Sequence, residues 1–252
     1  VLVLSIDLDF FVDPTPTLKD LRGEERLSGD QFKVMTTAEA AVYLSRWGLA
    51  QGAKPRARYI RTHIEAFDIL ANLETSVDLV HVDGHADLGV MEAGHKYLMT
   101  MLMASSENER RHPKRGDGFM TPGNWLAFAI AARAIKSVRF VPRHYPPKDL
   151  LFYYFADAEF GGDPSQWTDF CIPAGTESEV AQLDEHLEHY DLYELHPDLK
   201  ACTDWRTEDP YSYSVPKIPD FVVICHSPSF TPSEADEILE LIRSYLDETE
   251  QP

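Results

Sequence analysis

Residues 77–89 read VDLVHVDGHADLG, an apolar, β-rich run that ends in a cluster of acidic and histidine side chains. A second run of this kind covers residues 1–14, which read VLVLSIDLDFFVDP. Near-continuous apolar runs are typical of parallel strands that are covered on both faces. In open α/β sheets, ligands bind beyond the carboxyl ends of such strands. The two stretches therefore predict a parallel sheet with a polar site at one edge.

Strands and helices are predicted to alternate along the chain. Strands are predicted over residues 1–8, 77–82, 137–141, 151–155 and 221–225. Helices are predicted after the capping box at residues 36–39, over residues 61–73 and 122–135, and after a second capping box at residues 231–234. This alternation favours a three-layer α/β/α fold with a mainly parallel sheet.

We expect one domain over residues 1–252, because 44% apolar residues suffice for a sizeable buried core. Residues 142–219 are rich in Pro, Tyr, Asp and His and show weak periodicity. This region is predicted to be a loop-rich insertion on the sheet, with a short extra strand pair and a helix over residues 178–190.

The acidic composition limits the classes of partner. A formal net charge of −19 disfavours nucleic acid and anionic membranes, and it favours cationic substrates, although solvated surface acid explains it equally well. No apolar run is long enough for a membrane span, and no signal peptide is visible. Three scattered cysteines, without a CxxC motif, indicate a reducing, cytoplasmic setting.

The acidic clusters after the two apolar runs have the composition of a metal site. In an extended segment, side chains two residues apart point to the same side, so Asp7 and Asp9 can face one site. Asp83, His85 and Asp87 can converge in the same way. Carboxylate with imidazole suits Mn²⁺, Fe²⁺ or Zn²⁺, and the carboxylate excess favours Mn²⁺. One divalent ion would be over-charged by four carboxylates, whereas two ions would balance them.

A single Asp-x-Asp pair is usually a solvated turn or a helix cap. Two such clusters, each directly after an apolar strand, are hard to explain structurally, because buried carboxylates must be paired or bind a metal. We therefore favour the metal site.

These motifs resemble those of a known superfamily. DGHAD (residues 83–87) resembles the Asp-Ala-His-x-Asp motif of the arginase, agmatinase and histone-deacetylase superfamily. SIDLDFFVDP (residues 5–14) resembles the motif of its ureohydrolase branch, with one extra residue before Asp13. LDFF (8–11), His63 with Glu65, GNW (123–125) and SPSFTP (227–232) resemble a ureohydrolase-like family that includes the peptide arginases.

The resemblance implies an arginase-like fold and a site with two Mn²⁺ ions per chain. The implied ligands of the first ion are His63, Asp83, Asp87 and Asp7, and those of the second are His85, Asp83, Asp7 and Asp9. It also implies that a metal-bridging water is the nucleophile and that Asp87 holds this water and passes on its proton. His226 is our weaker candidate for a proton-shuttling histidine.

The chain also departs from the ureohydrolase pattern. The Asp-x-Asp pair lies late in those enzymes but near residue 1 here, which a permuted strand order would accommodate. Cys225 stands where arginases carry a guanidinium-binding glutamate, so another carboxylate is needed. The candidates are Glu65, Glu92 and Asp117, and the GNW segment makes Asn124 and Trp125 candidates for substrate binding.

The predicted activity is hydrolysis of an arginine side chain, within a peptide, to ornithine and urea. Three alternatives remain: a ureohydrolase of free arginine or agmatine, a metal-dependent deacetylase, and a binding module without turnover. The expected partner is an arginine-containing peptide, and the oligomeric state is left open.

Overall fold

The computed structural model describes residues 1–17, 20, 26–89, 92–115, 119–151, 154–155, 157–158, 162–176 and 200–248. Its strands are β1 (Leu2–Asp7), β2 (Val12–Asp13), β3 (Lys33–Val34), β4 (Arg56–Ile60), β5 (Val77–Asp83), β6 (Ile135–Pro142), β7 (Asp169–Pro173), β8 (Lys200–Thr207), β9 (Phe221–Cys225) and β10 (Asp247–Glu248). Its α-helices are α1 (Thr37–Arg46), α2 (His63–Ala71), α3 (Glu92–Tyr97), α4 (Glu107–Arg111), α5 (Trp125–Ala131) and α6 (Asp236–Ser244). Short 3-10 turns include Leu8–Phe11 and Pro228–Phe230.

The main sheet has eight strands in the order β10-β4-β9-β1-β5-β6-β8-β7. Every neighbouring pair is parallel except β7 with β8, which is antiparallel. The β1 strand lies inside the sheet, where Leu4 pairs with Val80 of β5 on one side and with Val222 of β9 on the other. The carboxyl ends of β4, β9, β1 and β5 therefore meet at one edge.

Helices cover both faces of this sheet. Val3 points into a core that includes α2 and α5, whereas its neighbour Leu4 points into a second core that includes α1 and α6. This alternation follows from the two-residue repeat of a strand. The predicted three-layer α/β/α architecture with a mainly parallel sheet is confirmed.

The predicted helices appear as α1, α2, α5 and α6, and α1 begins with the predicted capping box between Thr36 and Glu39. The predicted strand over residues 151–155 is wrong in the part that is described. Tyr154 lies in a turn and Phe155 forms a single bridge to Phe170. Both aromatic rings are buried in the core, so their apolar character serves packing rather than strand pairing.

The region predicted as an insertion contributes to the sheet itself. The expected extra strand pair is present as β7 and β8, but β8 also pairs in parallel with β6. The predicted helix over residues 178–190 lies outside the described residues.

A disulfide joins Cys171 of β7 to Cys202 of β8, which face each other in the antiparallel register. The scattered spacing of the cysteines did not predict this pairing. With two of the three cysteines bonded, cysteine usage no longer supports a reducing compartment. Within the described ranges, no helix has the length and apolar character needed to cross a membrane.

Candidate metal centre

All six predicted ligands lie at the carboxyl edge of the sheet. Asp7 ends β1 and Asp83 ends β5, the neighbouring strand. Asp9 lies in the 3-10 turn that follows β1, and His63 is the first residue of α2. The remaining two ligands, His85 and Asp87, lie in the loop after β5. The topology thus brings together residues that are far apart in the sequence. For example, the backbone N–H of Gly84 donates a hydrogen bond to Asp9, 75 residues earlier.

The side chains form two groups that share one aspartate. His63 Nδ1 lies 2.7 Å from Asp87 Oδ2, 3.3 Å from Asp7 Oδ2 and 3.4 Å from Asp83 Oδ2. His85 Nδ1 lies 2.8 Å from Asp9 Oδ2 and 3.8 Å from Asp83 Oδ1. The two oxygens of Asp83 thus face two different histidines.

The donor set fits a divalent metal. Asp7, Asp9 and Asp83 are buried, and Asp83 Oδ2 has no hydrogen-bond donor among the described residues. Asp9, Asp83 and His85 can place ligand atoms within 4.8 Å of one another, and His63 can do so with Asp7 and Cys225. Oxygen and imidazole ligands suit Mn²⁺, Fe²⁺ and Zn²⁺. These buried clusters could therefore hold a metal ion.

Crowding and burial shift the pKa values of these groups. Burial, with repulsion from Asp9, raises the pKa of Asp7 to about 7. Burial and the neighbouring carboxylates raise the pKa of Asp83 well above its usual value. Burial would lower the pKa of His85, but the charge of Asp9 raises it to about 10. Metal ligands must be deprotonated, so a bound cation would displace protons from the groups whose pKa is raised.

Several surrounding groups hold the ligands in place. Ser227 Oγ donates a hydrogen bond to Asp7 Oδ2, and Trp125 Nε1 donates one to Asp87 Oδ2 at 2.6 Å. Asp87 and Ser227 have positive φ angles of 51° and 44°, which are unfavourable for residues other than glycine. Such strain persists where the surrounding structure enforces it, and it is common at functional sites.

Two further residues of the centre were not assigned to it from the sequence. His81 is fully buried, its Nε2 lies 3.5 Å from Asp83 Oδ2, and burial lowers its pKa to about 4. Asp149 is an exposed residue after β6, and its Oδ2 accepts a hydrogen bond from the backbone N–H of Ala86 at 2.6 Å. The alternation of β5 could have suggested His81, since it lies two residues before Asp83. Only the fold reveals Asp149.

The predicted substrate-binding residues have structural roles. Trp125 is fully buried, and Asn124 is 3% exposed, with its side chain bonded to the backbone of Phe119 and Thr121. Both side chains have little or no accessible surface, and their part in substrate binding stays a prediction. Glu65 Oε1 accepts hydrogen bonds from the backbone N–H groups of residues 61 and 62 at the start of α2.

The other predicted residues lie apart from the cluster or outside the description. Asp117 and the side chain of Glu92 are outside the described residues. His226 Nε2 lies 3.0 Å from Asp236 Oδ1 and 3.2 Å from an Arg26 nitrogen. In the described part of the chain, its ring contacts none of the six ligands, so the structure does not bring it into the centre.

A scan against protein-family models, a search of curated proteins and a search of solved structures each found no match. Membership of the ureohydrolase superfamily therefore stays a prediction from the motifs.

Proposed function

We propose that this chain is a binuclear manganese hydrolase that converts arginine side chains within a peptide to ornithine and releases urea. The observation that carries the proposal is the position of Asp83, with one oxygen toward His63 and the other toward His85. A single-ion site would not need a carboxylate placed between two histidine-centred groups. Two ions also match the charge, because four carboxylates balance two divalent cations.

Bound divalent ions would polarise the substrate and lower the pKa of water, which supplies the nucleophile near neutral pH. The chain's own residues orient the reaction. Water adds to the guanidinium carbon, the bond from that carbon to the side-chain nitrogen breaks, and a proton passes to the leaving amine. Asp87 is the group that we propose for this proton transfer, since Trp125 and His63 hold its carboxylate in place.

Asp149 is our candidate for recognition of the guanidinium. A carboxylate pairs with guanidinium through two parallel hydrogen bonds. Its hydrogen bond from Ala86 places it beside the ligand loop, and the residue is exposed enough to meet a substrate. It would take the role of the glutamate that Cys225 replaces, because Cys225 is buried and burial raises the pKa of its thiol, so it carries no charge.

The test is a comparison of four substrates with the Mn²⁺-loaded protein: free arginine, agmatine, an arginine-containing peptide and an acetyl-lysine peptide. Urea release from the peptide, with the highest kcat/KM, is the expected result. Acetate release would favour a deacetylase, and better turnover of free arginine would overturn the peptide preference. No turnover of any substrate would favour a binding module.

Metal content tests the two-ion count separately. Elemental analysis after Mn²⁺ loading should approach two ions per chain, and Asp9→Ala should lower that number. One ion per chain, unchanged in Asp9→Ala, would contradict the binuclear site. Asp78→Ala is a matched control, because Asp78 lies on β5 but hydrogen-bonds to Ser137, away from the centre.

A further inference from the structure

A second site is indicated by a cleft of about 490 Å³ beside the paired strands β4 and β9, which is also lined by residues of α6. Its apolar walls include Ile60, Ile224 and Leu239. Among the residues that the structure describes, its polar lining consists of Arg26, Tyr59, Arg61, His226 and Arg243, with no acidic side chain. Cationic lining is unusual in a chain with 42 acidic and 23 basic residues. The volume lies in the range of small-molecule sites.

Two of these arginines can receive a ligand. Arg243 lies over the ring of Tyr59, with its guanidinium carbon 4.7 Å from the ring centroid. Its ion pair with Glu240 is exposed and is therefore weak competition for a bound anion. Arg61 is exposed, and its hydrogen bonds to other described residues involve only its backbone. Guanidinium groups bind carboxylate and phosphate through pairs of hydrogen bonds.

Arg26, by contrast, is held by other residues of the protein and has a structural role in the cleft. Its guanidinium bonds both oxygens of Asp236 and the carbonyl oxygens of Thr231 and Pro232. His226 bonds the same aspartate. These contacts hold Arg26 in the segment that closes the cleft, so Arg61 and Arg243 are the two arginines that we expect to meet a ligand.

We propose that this cleft binds an organic anion, a carboxylate or a phosphate monoester on an apolar body. The two guanidinium groups would take the anionic head, and the apolar walls would take the body. The cleft adjoins the metal centre through the backbone: His226 N donates to Ile60 O, and the next residue, Ser227, donates to Asp7. Its ligand class follows from its lining alone and does not depend on the proposed hydrolase activity.

Calorimetric titration of the full chain tests this site with four probes: phenyl phosphate, benzoate, inorganic phosphate and benzyl alcohol. We expect at least one aromatic anion to bind about 10-fold or more tightly than benzyl alcohol, since a charged hydrogen bond is stronger than a neutral one. The ratio of phenyl phosphate to benzoate identifies the head group. Inorganic phosphate that binds as tightly as phenyl phosphate would refute the apolar subsite.

Two variants locate the binding. Arg61→Gln with Arg243→Gln should weaken the aromatic anion about 10-fold or more, because both charge-assisted contacts are lost. Arg206→Gln, at an exposed arginine of β8, is the matched control and should bind as the unmodified chain does. Asp83→Asn should also retain binding, which excludes the metal centre as the site. Unchanged affinity in the double variant, or loss in Asp83→Asn alone, would overturn the proposal.

Discussion

Ser227 combines an unfavourable backbone conformation with a contact to Asp7, a proposed metal ligand. Its φ angle is 44°, and its hydroxyl donates to Asp7. Removing a group that orients a ligand typically lowers metal affinity 10–100-fold, so we expect a loss of about that size in Ser227→Ala. Calorimetric titration with Mn²⁺ measures it, with Ser233→Ala, in a turn near α6, as the control. Equal affinities in the two variants would show that the contact is incidental.

The raised pKa values in the cluster predict that metal binding releases protons. In the metal-free chain, the pKa of Asp7 is raised to about 7 by burial and that of His85 to about 10 by Asp9, against the opposing effect of burial. Metal ligands must be deprotonated, so binding at neutral pH should release protons and affinity should rise with pH. Calorimetry in buffers of different ionisation enthalpy counts these protons. Net uptake, or affinity that falls from pH 6 to 8, would contradict the cluster's charge state.

Local spacing predicted the ligands but not the groups that support them. Asp7 with Asp9, and Asp83 with His85, were predictable because side chains two residues apart at a strand end share a side. Ser227 and Asp7 are 220 residues apart, so their contact depends on the pairing of β1 with β9. Asp149 likewise meets Ala86 only through the fold.

At the scale of the elements, variants of Glu65 distinguish a role in capping α2 from a role in binding the substrate. Its carboxylate accepts hydrogen bonds from two backbone N–H groups at the start of α2, directly beside His63. Glu65→Ala should therefore destabilise the chain by about 0.5–1.5 kcal/mol, the usual contribution of such a cap, while Glu65→Gln retains an acceptor and most of the stability. Thermal unfolding measures both. If Glu65 instead binds the guanidinium, Glu65→Gln would keep stability and lose turnover of cationic substrates.

The disulfide makes a prediction for the sheet edge. It joins residues 31 positions apart in β7 and β8, and the chain-entropy model assigns such a loop about 3–4 kcal/mol. Cys171→Ser with Cys202→Ser should lower the free energy of unfolding by about that amount and leave Mn²⁺ affinity unchanged. Denaturant unfolding with and without reductant measures it. A reductant effect that persists in the double variant would point to another cause.

The elements that were missed have physical reasons. The β4 strand carries exposed Arg56 and Arg58, which interrupt the apolar run that marks a buried strand. The β10 strand has two residues, too few for a pattern. Tyr154 and Phe155 appeared strand-like because aromatic side chains favour strands, yet here they fill the core.

At the scale of the whole molecule, the net charge of −19 should raise the rate at which a basic substrate associates with the protein. Raising the ionic strength from about 0.01 to 0.1 M shortens the screening length from about 30 to about 10 Å. If the proposed function holds, kcat/KM for a basic arginine peptide should fall about 10-fold or more over this range, since steering raises association rates by that order. A peptide with flanking acidic residues is the control. Equal salt dependence of the two peptides would show that the net charge does not steer the substrate and serves solubility alone.

The order of the strands also has a consequence for biosynthesis. The β1 strand is made before its partners β5 and β9, and Ser227 is 220 residues beyond Asp7. At 5–20 residues per second, a ribosome needs roughly 10–40 s to cover that distance. Throughout this time an apolar strand with two aspartates at its end lacks one neighbour. A nascent chain that stops before β9 should therefore be a client of chaperones, and, if the proposed metal site holds, it should bind Mn²⁺ more weakly than the full chain does.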